Sequence, residues 1–231
     1  MKFNELISNK EICNALLNKG YVDPTPIQLN AIPHVLEGRD VFGCAQTGTG
    51  KTAAFALPIL QMLHAQNLSR KDIRIRAVVL APTRELAIQI NQSFTDYGKG
   101  LQLRNTVIYG GVSQNPQTTA LRNGVDILIA TPGRLIDLMD QGYVHLKHVE
   151  YPVLDEADRM LDMGFIHDIR RLIKVMPEKR QTVFFSATIP LEISKLAGSI
   201  LKNPVQVNVA PVSAPAEKVN QSIYFIEKTE K

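Results

Sequence analysis

The sequence predicts an α/β domain built on a central, mostly parallel sheet of about seven strands with helices on both faces. Three observations carry this. Short apolar, β-branched runs recur at 41–43, 77–80, 106–109, 127–130, 153–154, 182–185 and 205–209. Segments with helical spacing lie between most of them, at 52–65, 85–97, 134–139, 166–176 and 191–201. Several runs, AVVLA and ILIA among them, show no polar alternation, as expected of strands buried on both sides. Strands alternating with helices give a parallel sheet with its crossovers on the faces.

Ahead of the first strand, residues 1–38 carry an amphipathic helix ended by Gly20 and then a Pro-rich stretch, DPTPIQ, that reads as a turn. This flank attaches to a sheet core at 39–209. After Val209, APVSAPAEKVNQ has the Pro, Ala and Ser content of a linker. SIYFIEKTEK then reads as a lone strand, so 210–231 is expected to be a linker and the opening of a further domain. No internal repeat is present.

The 231 residues are 45% hydrophobic and 21% charged, which fits a globular chain and excludes disordered and collagen-like classes. Lys and Arg outnumber Asp and Glu by 26 to 22, a net charge of +4 that permits a polyanionic partner without requiring one. Two cysteines, Cys13 and Cys44, stand at no metal-like spacing and make no disulfide scaffold, which fits a reducing cytosol. The start lacks a signal-peptide apolar region, and no run of about 18 apolar residues occurs. A soluble, cytoplasmic protein with no membrane partner is the expectation. His145, His148 and His167 lack metal-ligand company and read as surface or packing residues, and Cys44 as buried filler.

AQTGTGKT, at residues 45–52, reads as a phosphate-binding loop between a strand and a helix. Such a loop works because successive backbone N–H groups and a helix N-terminus wrap phosphates in partial positive charge. Gln46, Thr47, Gly48, Thr49 and Gly50 form the turn, with Gly48 and Gly50 supplying the permissive backbone. Lys51 would reach the β and γ phosphates, and the Thr52 hydroxyl would ligate Mg²⁺. Ala45 replaces the usual first Gly, and costs little there if that position needs no positive φ.

A loop of this kind also needs a carboxylate at a strand end. VLDEAD supplies one: Asp155 would face Mg²⁺, and Glu156 would orient or deprotonate the attacking water. Two further strand ends are followed by a hydroxyl, Pro and Arg at a helix start: Pro82, Thr83 and Arg84, and Thr131, Gly133 and Arg134 within TPGR. Each reads either as an N-cap or as an anion site, and together with Gly110 and Gly111 they favour a surface that tracks a nucleic-acid backbone. Pro152 is unusual within a strand, since proline donates no ladder bond. Either the strand begins there or a local defect sits beside the carboxylate.

These residues resemble the N-terminal RecA-like domain of a DEAD-box ATP-dependent RNA helicase, of bacterial type. GYVDPTPIQ resembles the Q motif, AQTGTGKT motif I, PTRELA motif Ia, Gly110 and Gly111 the GG doublet, TPGR motif Ib, DEAD motif II, and SAT at 186–188 motif III. All seven stand in family order, and the family also writes Ala at the first loop position. The resemblance implies ATP and Mg²⁺ as cofactors and RNA backbone as partner, with little sequence specificity. It implies adenine reading by Gln28, whose amide offers the bidentate pattern, support from Thr25, and stacking by Phe3, which otherwise reads as a core aromatic. Ser186 and Thr188 would couple hydrolysis to strand separation by bonding the DEAD segment at Asp158, or else cap the next helix.

The resemblance further implies an arginine finger from a second RecA-like domain, and no HRIGR-like sequence occurs here. The 231-residue chain is therefore expected to be monomeric, to bind nucleotide, and to be nearly inactive by itself. A DNA-directed P-loop ATPase and a non-catalytic, adenine-nucleotide-responsive RNA-binding scaffold are the alternative readings.

Overall fold

Alternate side chains of each strand point to opposite faces, and two apolar cores result, one on each side of a single sheet. The computed structural model describes residues 2–68 and 73–209. The linker and second-domain opening expected at 210–231 lie outside the described residues.

Two short helices, α1 (Phe3–Leu6) and α2 (Lys10–Asn18), open the chain, and Asn9 caps α2 by accepting from the Ile12 amide. DPTPIQ is not only a turn, because α3 (Pro26–Leu36) begins within it. Proline is well suited to a helix's first position, and Gln28 reaches back to accept from the Thr25 amide, half of a capping box. The strongly apolar α3 then packs against the sheet domain.

From there strand and helix alternate, with two helices between β5 and β6: β1 (Val41–Cys44), α4 (Lys51–Ala65), β2 (Ala77–Leu80), α5 (Arg84–Tyr97), β3 (Asn105–Ile108), α6 (Asn115–Arg122), β4 (Ile127–Ala130), α7 (Pro132–Asp140), β5 (Tyr151–Leu154), α8 (Ala157–Asp162), α9 (Ile166–Lys174), β6 (Val183–Ser186), α10 (Leu191–Ile200) and β7 (Val205–Asn208). The sequence reading lacks α6 and α8. NPQTTALR buries Gln117 and Thr118 rather than an apolar stripe, and α8 is short and acidic at its start, so neither shows helical periodicity.

The sheet order is β3-β4-β2-β5-β6-β1-β7, and all six pairings are parallel. Val41, Val79, Ile129 and Phe185 enter one core with α3, α4 and α5; Phe42, Val78, Leu128 and Phe184 enter the other with α7, α9 and α10. Packing is tight where β1 meets β6. A Cβ on Gly43 would lie 2.1 Å from the Phe185 ring.

Because every strand runs the same way, the loops that follow β1 to β6 all leave from one edge of the sheet, where ligands bind in folds of this class. Pro152 lies one residue inside β5. Tyr151 donates to the Arg76 carbonyl and Asp155 to that of Leu80, so odd-numbered amides serve β2. The donor that proline lacks thus falls on the β6 side, where pairing starts only at Val153.

Candidate nucleotide and nucleic-acid site

Strand β6 separates β1 from β5, so the loop after β1 and the carboxylates after β5 face each other across one strand end. Ala45 is buried, outside the left-handed region, and donates its amide to the Ser186 carbonyl at 3.1 Å. Gly48 and Gly50 take φ of 85° and 94°, conformations in which a side chain is strained. Glycine is thus favoured by the backbone at 48 and 50 and dispensable at 45. Within the turn the Thr49 hydroxyl donates to the Gln46 carbonyl, while Gln46 itself is exposed.

Lys51 begins α4 and is 5% exposed, yet its Nζ has no hydrogen-bond partner among the described residues. Asp155 Oδ1 stands 3.7 Å away, an ion-pair distance rather than a bond. Burial pushes the Asp155 carboxyl up to about 6, against the pull of the Lys51 ammonium. A buried ammonium with unmet donors is costly unless anionic oxygens reach it. Glu156 adopts φ 54° and ψ 53°, rare for a residue with a side chain. Its carboxylate Oε1 accepts from the Thr47 hydroxyl at 2.9 Å, and Oε2 lies 3.6 Å from Arg159 Nη1.

A cleft of about 700 Å³ runs from these groups toward the N-terminal flank, lined there by Phe3, Thr25 and Gln28 and flanked by Thr52. Phe3 also belongs to one of the two cores, so the stacking and packing readings describe the same ring. Gln28 Nε2 donates to the Gly50 carbonyl at 3.0 Å and Oε1 accepts from the Thr25 amide at 2.9 Å. One amide hydrogen and one lone pair remain for a ligand. Sequence reasoning missed Tyr21 and Tyr97, which line the cleft with rings 6.2 Å apart. Tyr21 adjoins the Q-like stretch, but nothing in the sequence brings it to a residue of α5.

The loops after β2, β3 and β4 meet along the same edge. Thr83 caps α5 by accepting from the Leu86 amide at 3.3 Å, behind a buried Pro82. Arg84 is exposed, bonded to Glu85 at 2.6 Å, and its Nη1 lies 3.8 Å from where a Gly111 side chain would begin. Gly111 has φ 80°, while a Cβ on Gly110 or Gly133 would meet nothing within 4 Å. Thr131 occupies the N-cap of α7 without a capping side-chain bond. Arg134 donates from Nη2 to the Val112 carbonyl at 3.2 Å and pairs with Asp137, which ties the GG loop to α7.

After β6 the Thr188 amide and hydroxyl both donate to Asp158 Oδ2, each at 2.9 Å. Burial works to raise the Asp158 carboxyl, but these bonds and backbone donors hold it below its ordinary value. Ser186 does not reach the DEAD segment. It donates to the Thr188 carbonyl at 2.7 Å and stiffens the turn itself, because its buried position points it along its own strand end. Among the described residues, no group of three His, Cys, Asp or Glu side chains could hold a metal. No helix among them is long and apolar enough to cross a membrane.

A fully parallel sheet with a glycine-rich loop opposite a strand-end carboxylate pair defines a RecA-like P-loop domain. The chain belongs to the DEAD/DEAH box helicase family, whose family model matches residues 25–196. It is 44% identical, over its full length, to a probable ATP-dependent RNA helicase ddx17 of Dictyostelium discoideum, and 48% identical over 92% of its length to the DEAD-box ATP-dependent RNA helicase 30 of Oryza sativa subsp. japonica. It spans 30% and 31% of those relatives. Among solved structures, a DEAD box protein from the hyperthermophile Methanococcus jannaschii superposes with a TM-score of 0.83 at 39% identity, covering 90% of this chain and 56% of that one. A hypothetical ATP-dependent RNA helicase from Sulfolobus tokodaii gives 0.79 at 37% identity over 87% and 57%. None of the four is bacterial, so they support the family and not the bacterial type expected from the sequence.

Proposed function

We propose that this chain is the ATP- and RNA-binding core of an RNA-dependent ATPase that separates RNA duplexes locally. The observation that carries it is the buried Lys51 ammonium, 3.7 Å from Asp155 and without a hydrogen-bond partner among the described residues, whose donors phosphate oxygens would satisfy. Gln28, Thr25 and Phe3 would hold adenine, and residues 46–52 the phosphates. Thr52 and Asp155 would hold Mg²⁺, which when bound neutralises charge on the phosphates; so few protein ligands suit a cation that keeps its waters. Glu156 would take a proton from the attacking water as its oxygen bonds the γ-phosphorus. The bond from that phosphorus to the β–γ bridging oxygen then breaks, leaving ADP and phosphate.

RNA backbone would lie across Arg84, Gly111, Thr131 and Arg134, with Pro82, Thr83, Gly110 and Gly133 shaping the loops. Asp158, Thr188 and Ser186 would couple that surface to hydrolysis. Residues 1–209 would form one unit, with 210–231 leading to a second RecA-like domain that supplies an arginine finger. Such a finger is worth about 10³ to 10⁵ in rate, so the 231-residue chain would bind nucleotide weakly and turn over barely, acting as a monomer. A cytoplasmic site of action fits this reading.

The test is ATP hydrolysis and duplex separation by the full-length protein with RNA and with DNA oligomers, in wild type and Glu156→Gln. Stimulation by RNA, lost in the variant, is expected. Equal stimulation by DNA would point to a DNA-directed ATPase, and unchanged biological activity of the variant to a scaffold. Strong RNA-stimulated turnover by residues 1–231 alone would remove the need for a second domain.

A further inference from the structure

Glu156 is held in place by the phosphate loop itself. Its backbone sits in the left-handed region at the start of α8, and its side chain is 10% exposed. One carboxylate oxygen accepts from the Thr47 hydroxyl at 2.9 Å; the other, among the described residues, has Arg159 at 3.6 Å, from a side chain that is 59% exposed. Thr47 and Thr49 flank Gly48 in the same turn, but the Thr49 hydroxyl donates to the loop's own Gln46 carbonyl. Thr47 directs its hydroxyl out of the loop, across the end of β6, to the carboxylate.

The geometry points to Thr47 as a positioning residue for the general base, an inference that rests on the reading of Glu156 above. The hydroxyl anchors Oε1, which limits rotation of a three-torsion side chain and leaves Oε2 to meet the attacking water. Hydrogen bonds to a charged acceptor are among the stronger ones. Their loss here is felt in the chemical step rather than in binding.

The experiment compares Thr47→Val, which keeps the shape and removes the donor, with Thr47→Ser, which keeps the donor. Both are measured in the full-length protein for RNA-stimulated ATP hydrolysis and for binding of a fluorescent adenine nucleotide. Thr47→Val is expected to lower kcat about tenfold or more, with KM and nucleotide affinity within about twofold of wild type. Thr47→Ser restores kcat. In a Glu156→Gln background Thr47→Val adds no further loss, which a merely structural role would not produce. Weakened nucleotide affinity at unchanged kcat, or losses that multiply in the double variant, overturns the inference. Full turnover in Thr47→Val while Glu156→Gln is inactive overturns it alone, whereas full turnover in Glu156→Gln removes the general-base reading and this inference with it.

Discussion

Gln28 donates from Nε2 to the Gly50 carbonyl at 3.0 Å, so the proposed adenine-reading side chain is fastened to the loop that would hold the phosphates. This closeness requires glycine. A Cβ at Gly50 would lie 2.4 Å from Gln28 Nε2, on a backbone with φ of 94°. Gly50→Ala is expected to weaken ATP binding at least about tenfold, since it both strains the loop and displaces the amide. Gln28→Ala is expected to erase discrimination between ATP and GTP. Calorimetric titration of both nucleotides against the two variants reads these effects, and preserved ATP preference in Gln28→Ala would remove the adenine-reading role.

Asp155 gives the nucleotide-free protein a defined pH dependence. Its carboxyl ionises at about 6 when folded against an ordinary value of 3.8. The folded state therefore holds its proton more tightly, and this contribution is fully present below about pH 3.8 and lost as pH rises through about 6. Complete ionisation forfeits on the order of 3 kcal/mol. Asp155→Asn does not ionise, so its stability relative to wild type should improve by roughly 1–2 kcal/mol between pH 5 and pH 7.5. The constant offset includes Lys51 left unpaired, so the change with pH is the readout in urea denaturation. A pH-independent gap would contradict the raised value.

Gly43 of β1 lies directly beside Phe185 of β6. With the ring fully buried and a Cβ only 2.1 Å from it, Gly43→Ala is expected to destabilise the domain by roughly 1–3 kcal/mol. Phe185→Leu in the same chain should recover part of that loss, because the conflict is with the ring. Thermal or urea unfolding of the single and double variants measures it, and simple additivity of the two losses would refute a local clash.

Thr188 donates two bonds to one oxygen of Asp158, and one of the two comes from its side chain. Thr188→Ala removes the hydroxyl bond and keeps the backbone one. Asp158 should then ionise closer to its ordinary value, while ATP affinity stays within about twofold. In the full-length protein duplex separation should fall further than ATP hydrolysis. Parallel loss of both activities would argue against a coupling role.

Much of this architecture is legible in the chain. Residues 77–80 and 127–130 are read with their observed bounds, because strands buried on both faces are written as unbroken apolar runs. DPTPIQ reads as a turn throughout because Pro and Asp mark turns and helix starts alike, and the start of α3 in its second half emerges only when Gln28 closes back on Thr25. Helix α6 leaves no periodic signal because it buries Gln117, whose amide bonds Tyr109 at both N and O, instead of an apolar stripe. In the site, residue types at the strand ends were readable, but their partners were not: Ser186 turns to the Thr188 carbonyl, and Glu156 to Thr47.

The sequence by itself determined which chemistry is present: glycines at 48 and 50 where φ is positive, a lysine and hydroxyl at a helix start, and paired carboxylates at a strand end. These follow from local backbone sterics and from side-chain type, both written in neighbouring residues. Only the tertiary structure decided that β6 lies between β1 and β5, that Lys51 and Asp155 are buried 3.7 Å apart, and that the Asp155 carboxyl is pushed up to about 6. Strand order is set by hydrogen-bond ladders between segments distant in the chain, and ionisation by how completely packing excludes water. Neither is encoded in any one stretch of residues.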